Sequence, residues 1–154
     1  MAIESFDHVA IPSADPGPLI DFYRRLGFTP VGEDAWRAGR APFVALALGD
    51  VKLNVHDPKL WQDERFTLRG PTAQPGCGDL CFVWSGTVEE ATALIEAAGG
   101  SIIEGPVDRV GGRAKGTATG RSVYTRDPDG NLVELIAYES RASPRAAEPI
   151  DSEA

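Results

Sequence analysis

Glu134 stands in the middle of an apolar run, Leu132-Val133-Glu134-Leu135-Ile136-Ala137-Tyr138, directly after Asp127-Pro128-Asp129-Gly130. Proline fixes one φ angle of such a turn, Asp129 can bond its own backbone and Gly130 tolerates positive φ, so a strand is expected to start at once. Apolar residues occupy both alternating sides of that strand, which predicts burial on both faces. An ionised carboxylate placed there is costly unless a cation or hydrogen-bond donors meet it. A bound metal ion, a buried arginine or lysine, or exposure on a sheet edge would each satisfy Glu134.

Other polar residues sit in comparable settings. Residues 4–11 alternate as a strand, with Phe6, His8 and Ala10 on one side. Residues 51–56 alternate more cleanly, with Lys52, Asn54 and His56 opposite Val51, Leu53 and Val55. Asp79 shares one side of a strand at 78–84 with Cys81. Two imidazoles and a carboxylate suit Fe(II), Mn(II), Zn or Ni, and a face of that kind leaves coordination positions open for substrate or dioxygen.

An internal repeat is what could bring these residues together. In the first half, Asp15 is a candidate helix cap and Pro16 the first helical residue. Leu19, Phe22, Tyr23 and Leu26 form an amphipathic stripe that Gly27 ends. Strands are expected at 28–31, 43–48 and 51–56. In the second half Thr87 and Glu90 make a capping box. Ala91, Leu94, Ile95, Ala98 and Gly99 then repeat the first helix at an offset of 72 residues. After a strand at 101–104 the offset grows to 80, which sets Asn54 against Glu134; the first strands set His8 against Asp79. The added residues fall in 105–120, which carries five glycines with Arg109, Arg113 and Lys115 and reads as a substrate-covering lid or a flexible loop.

Two copies of strand, helix and three strands predict an α+β fold with two similar sheets related by a pseudo-twofold axis. Residues 1–138 are expected to form one domain: module one at 1–57, a linker at 58–76 with a helical turn near 60–65, and module two at 77–138. Residues 139–154, rich in Ser, Ala, Pro and charge, read as a disordered tail. The formal net charge of -8 provides no surface for tracking phosphates, so nucleic acid is not an expected partner. No apolar run approaches the ~18 residues of a membrane span, and the first residues lack a signal-like pattern, which predicts a cytoplasmic protein without a membrane partner. Two cysteines, Cys77 and Cys81, are too few for a disulfide framework and are expected to be buried thiols.

The segments DHVAI, DFYRRLGF, GDLCFVW and DPDGNLVEL resemble the vicinal oxygen chelate superfamily of glyoxalase I, extradiol dioxygenases, fosfomycin-resistance enzymes and bleomycin-binding proteins. The resemblance covers residues 4–138. The runs KLNVHDP, IIEGPVDR and SVYTRDPDGNLVEL are most similar to the glyoxalase-domain-containing protein 5 group. The resemblance implies two βαβββ modules forming a shared curved, barrel-like sheet around a central crevice that holds one divalent metal, with His8 and Glu134 as ligands on the end strands. This chain has Asn54 where glyoxalase I has a carboxylate, and Asp79 where many members have histidine. The expected function is a metal-dependent enzyme that binds a small molecule through neighbouring oxygens. His8, His56 and Glu134 would be metal ligands (Fe, Mn, Zn or Ni), Asp79 and Tyr124 catalytic groups, and Asn54, Arg109, Arg113 and Arg121 substrate contacts. Oxygen-dependent cleavage is the first expectation. Glyoxalase-type lyase or isomerase chemistry and metal-free binding of a bleomycin-like drug are the alternatives. A homodimer is expected, because each module presents a curved sheet that needs cover.

Overall fold

A computed structural model describes residues 1–138; the tail expected at 139–154 lies outside the described residues. The first module runs β1 (His8–Pro12), α1 (Pro16–Arg25), β2 (Thr29–Val31), α2 (Glu33–Arg37), β3 (Phe43–Leu48), β4 (Val51–His56) and α3 (Pro58–Trp61). The second runs β5 (Asp79–Trp84), α4 (Val88–Ala97), β6 (Glu104–Val110), α5 (Arg113–Gly116), β7 (Thr119–Arg126) and β8 (Leu132–Ala137). The fold is α+β, with two similar four-stranded sheets in the orders β1-β4-β3-β2 and β5-β8-β7-β6. In each sheet the first two strands of that order pair in parallel and the others antiparallel.

The helices form where the sequence signals place them. Pro16 opens α1, and Leu19, Ile20, Phe22 and Tyr23 are buried along it, although the Asp15 side chain makes no capping bond. At the start of α4 the Thr87 hydroxyl accepts from Glu90 N at 3.2 Å, while the Glu90 carboxylate accepts from Thr87 N at 2.8 Å. Each helix covers one face of its own sheet. Val44, Leu46, Leu53 and Val55 meet α1, Val123, Val133, Leu135 and Ala137 meet α4, and all of them belong to a single buried cluster.

The modules are tied together by packing and by the turn before β8. Phe28 and Phe82 meet edge to face at 5.1 Å. The buried Asp127 carboxylate accepts from the Tyr23 hydroxyl at 2.9 Å and from Asn131 Nδ2 at 2.8 Å, and the backbone amides of Asp129 and Asn131 also donate to it. These donors offset much of the cost of enclosing a carboxylate, whose pKa burial still raises. Asp129 accepts from Ala14 N across the modules at 3.0 Å, and Gly130 takes the positive φ of 89° that the turn requires. The turn read from the sequence as the approach to Glu134 is therefore also a clasp between the modules.

Three local expectations are corrected, and one short helix had not been expected. The first strand begins at His8 rather than residue 4, because its neighbour β4 pairs only from Lys52 onward. The helical turn after β4 spans Pro58–Trp61 rather than 60–65, started by Asp57, whose carboxylate accepts from Lys59 N at 2.8 Å. The short α2 gave no periodic signal; its Glu33 and Arg37 form an i,i+4 pair. The segment 105–120 is not a structureless lid: β6 runs through it to Val110, with an irregular register between Glu104 and Val107, and α5 and β7 follow. Three of its glycines, Gly105, Gly111 and Gly120, are needed for close packing. A Cβ at Gly111 would lie 1.9 Å from the Tyr138 hydroxyl, and one at Gly120 would lie 2.7 Å from Ile136 Cγ1.

Candidate functional site

The face of each sheet turned away from its helix is open, and strand register shows which side chains share it. On the first sheet His8, Ala10 and Pro12 align with Lys52, Asn54 and His56, and Asn54 aligns with Ala45. On the second, Asp79 and Cys81 align with Leu132 and Glu134, and Glu134 with Tyr124. Since His8 pairs with Lys52 as Asp79 pairs with Leu132, the repeat equates His8 with Asp79 and Asn54 with Glu134, as the sequence offsets predicted.

His8 and His56 lie in rows four residues apart, about 13 Å along the strands. That is too far for both imidazoles to reach one ion comfortably, since each nitrogen must approach it to ~2 Å. His56 instead packs edge-on against Phe66 at 5.5 Å, and burial, with the nearby charge of Arg69, lowers its pKa. Asn54 occupies the row between the two histidines, and its Oδ1 is buried without a hydrogen-bond partner.

Glu134 is half-buried and forms no ion pair among the described residues. Its donors are neutral. Ser122 Oγ donates to Oε1 at 2.5 Å, and the Tyr124 hydroxyl and the Cys81 thiol also lie against the carboxylate. Partial burial, then the charge of Glu134, push the Cys81 thiol up to about 12, so it is protonated at neutral pH. Burial likewise raises the Tyr124 pKa, while Arg109 Nε donates to its oxygen at 3.0 Å and opposes the rise. Glu104 in turn holds Arg109 Nη2 at 2.9 Å. A cavity of about 430 Å³ opens here, lined by Asp79, Glu104, Arg109, Tyr124 and Glu134, with no contribution from the first sheet.

His8 is half-exposed at the head of its strand, and Asp7 Oδ1 lies 2.5 Å from its Nδ1, which lowers the Asp7 pKa. The contact fixes the ring and leaves Nε2 free. Among the described residues no three His, Cys, Asp or Glu side chains of one chain are placed to hold a metal. The candidate donors divide instead into two half-sets, His8 with Asn54 and Glu134 with Asp79.

The remaining expectations fare differently. Arg109 stands at the cavity. Arg121 points to the helix side of its sheet and pairs with Glu89 at 3.3 Å, because it is one residue out of phase with Ser122. Arg113 stacks on Tyr138 at 4.6 Å, beyond the end of β8. The two cysteines are exposed rather than buried, because β5 turns Cys81 onto the open face. Asp7, Ser122 and Cys81 were not recognised as site residues from sequence; once β7 is put in register with β8, alternation alone puts Ser122 on the face of Glu134.

The pattern of the glyoxalase/bleomycin resistance protein/dioxygenase superfamily matches residues 5–135. A virulence protein of Salmonella typhimurium is 38% identical over 141 residues, covering 90% of this chain and 87% of its own length. Its crystal structure superposes with a TM-score of 0.73 at 36% identity, covering 90% of this chain and 100% of that one. The glyoxalase domain-containing protein RDO1 of Mycosarcoma maydis is 37% identical over 139 residues, covering 90% of this chain and 71% of that protein. No helix among the described residues is long and apolar enough to cross a membrane. With matched sequence along nearly the whole folded region and the same paired-module architecture, the chain belongs to the glyoxalase/bleomycin resistance protein/dioxygenase superfamily.

Proposed function

We propose that the protein is a divalent-metal-dependent enzyme acting on a small molecule that offers two neighbouring oxygens, either cleaving it with dioxygen or rearranging it in the manner of a lyase or isomerase. The observation that carries this reading is Glu134, a half-buried carboxylate on an open sheet face whose partners are neutral donors rather than a cation. An incoming ion would supply the missing counter-charge. His8 and Glu134 would hold it, with Asp79 and Asn54 beside it and His56 one row further along the strand; Fe, Mn, Zn and Ni accept such donors. Because one chain splits these residues into half-sets, the site closes where the first sheet of one copy meets the second sheet of another.

The bound ion would act as a Lewis acid toward the two substrate oxygens or as the site of oxygen chemistry. The chain's own residues do the rest. Ser122 holds one oxygen of Glu134 and so orients the other toward the cavity, while Asp7 fixes the His8 ring. Tyr124, held by Arg109, offers a hydroxyl proton at the cavity wall, and Asp79 offers a carboxylate able to take one.

Elemental analysis of protein purified without chelator tests the reading. About one divalent metal per chain is expected, together with a rise in melting temperature on adding Fe, Mn, Zn or Ni. Absence of both would favour a metal-free protein that sequesters a small drug-like molecule, the second reading supported by family membership.

A further inference from the structure

A second cavity, of about 480 Å³, lies beyond the end of β4 and includes Trp61, Phe66, Arg69 and Pro71 in its wall. None of these residues belongs to either half-set of the metal site. The walls are held in place: Trp61 Nε1 donates to Ser13 O at 2.9 Å, and Phe66 packs against His56. Arg69 is clamped as well. Its Nη1 donates to Trp61 O at 2.9 Å, its Nη2 to Ala73 O, and its guanidinium carbon lies 5.8 Å from the centre of the Trp61 ring.

The guanidinium is nonetheless short of partners. Arg69 forms no ion pair among the described residues, and its Nε–H is enclosed without an acceptor. Two acids also line the cavity: Asp63 is bonded to Arg65 through both carboxylate oxygens, and Glu64 is exposed. Tying the linker to Trp61 O and Ala73 O requires two N–H donors but no charge. A cation held over the Trp61 ring without a counter-ion lacks an anion.

We propose that this cavity binds a planar aromatic carboxylate, with its ring against Trp61 and Phe66 and its carboxylate on Arg69. The volume suits a small ring compound. A monoanion fits better than a phosphate dianion, because each Nη already gives a hydrogen bond to a carbonyl and Asp63 and Glu64 add negative charge nearby. The assignment does not rest on the metal site.

Calorimetric titration of the full chain with benzoate, benzamide and phenyl phosphate, with and without chelator, tests it. Benzoate is expected to bind at least about tenfold more tightly than benzamide, as a charge-assisted hydrogen bond should provide. Chelator should leave that preference unchanged, and Arg69→Met should remove it. Arg69→Lys, which keeps the charge but not the planar fork, should weaken benzoate several-fold and leave benzamide unchanged. This second variant decides the matter if Arg69→Met does not fold. Equal binding of benzoate and benzamide, a preference for phenyl phosphate, survival of the benzoate preference in Arg69→Met, or equal weakening of both ligands in Arg69→Lys would each overturn the proposal. Loss of benzoate binding on chelation would also overturn it, by placing the carboxylate on the metal, and would support the metal reading instead.

Discussion

His56 and Asn54 set two kinds of reasoning against each other. By donor chemistry alone the imidazole is the better third ligand, since a neutral amide binds transition metals poorly. Register points to the row of Asn54, which is equivalent to that of Glu134 and adjacent to His8, whereas His56 lies about 13 Å from His8 along the strands. The unsatisfied Asn54 Oδ1 supports the same row. Asn54→Ala is therefore expected to weaken metal binding by roughly tenfold or more, and His56→Ala by no more than about threefold. Metal titrations of the two variants decide it; the reverse order would show that imidazole chemistry outweighs register. Glu134 and His8 were legible in the sequence because a charged or polar residue on an apolar face is conspicuous. Ser122 was not, since a serine in a strand gives no such signal, and Arg121, expected as a substrate contact, stands on the helix side because neighbouring residues of a strand point to opposite faces.

At the scale of elements, signals contained within one turn of chain proved readable: the Thr87 and Glu90 capping box, the helical stripes and the Asp127 to Gly130 turn. The hairpin of β6 and β7 was not, because glycine is ambiguous. It marks flexibility in one context and close approach in another, and only the neighbouring strand shows which applies. Gly120 belongs to the second kind, with a hypothetical Cβ 2.7 Å from Ile136 Cγ1 and 2.9 Å from the Ala137 carbonyl oxygen. Gly112 is open, with nothing within 4 Å and an ordinary helical φ of -73°. Gly120→Ala should destabilise the fold by about 1–3 kcal/mol through overpacking. Gly112→Ala should leave stability unchanged or raise it by up to about 1 kcal/mol, by restricting the unfolded chain. Chemical denaturation of both variants checks the pair, and equal effects would mean that the hairpin is looser than its packing indicates.

For the whole molecule, the helix sides of both sheets share one core while the site-bearing faces remain uncovered. Val31 and Phe43 on the first sheet and Val83 on the second are 54%, 41% and 52% exposed, apolar surface of the kind that partners cover. The repeat was visible in the sequence, but whether a site is completed within one chain or between two was not, because offsets relate positions within a chain and carry no information about contacts between copies. A symmetric dimer in which unlike sheets face each other would contain two identical composite sites. His8→Ala and Glu134→Gln should each abolish tight metal binding when purified alone. If the two proteins are mixed and allowed to exchange subunits, half of the dimers are mixed, and each mixed dimer joins the intact His8 of one copy to the intact Glu134 of the other at one of its two sites. Binding should therefore return at about a quarter of all sites, and should fall again on dilution below the dimer dissociation constant. No recovery on mixing, from proteins shown by light scattering to have exchanged into dimers, would mean that His8 and Glu134 act within one chain or that one of them is not a ligand.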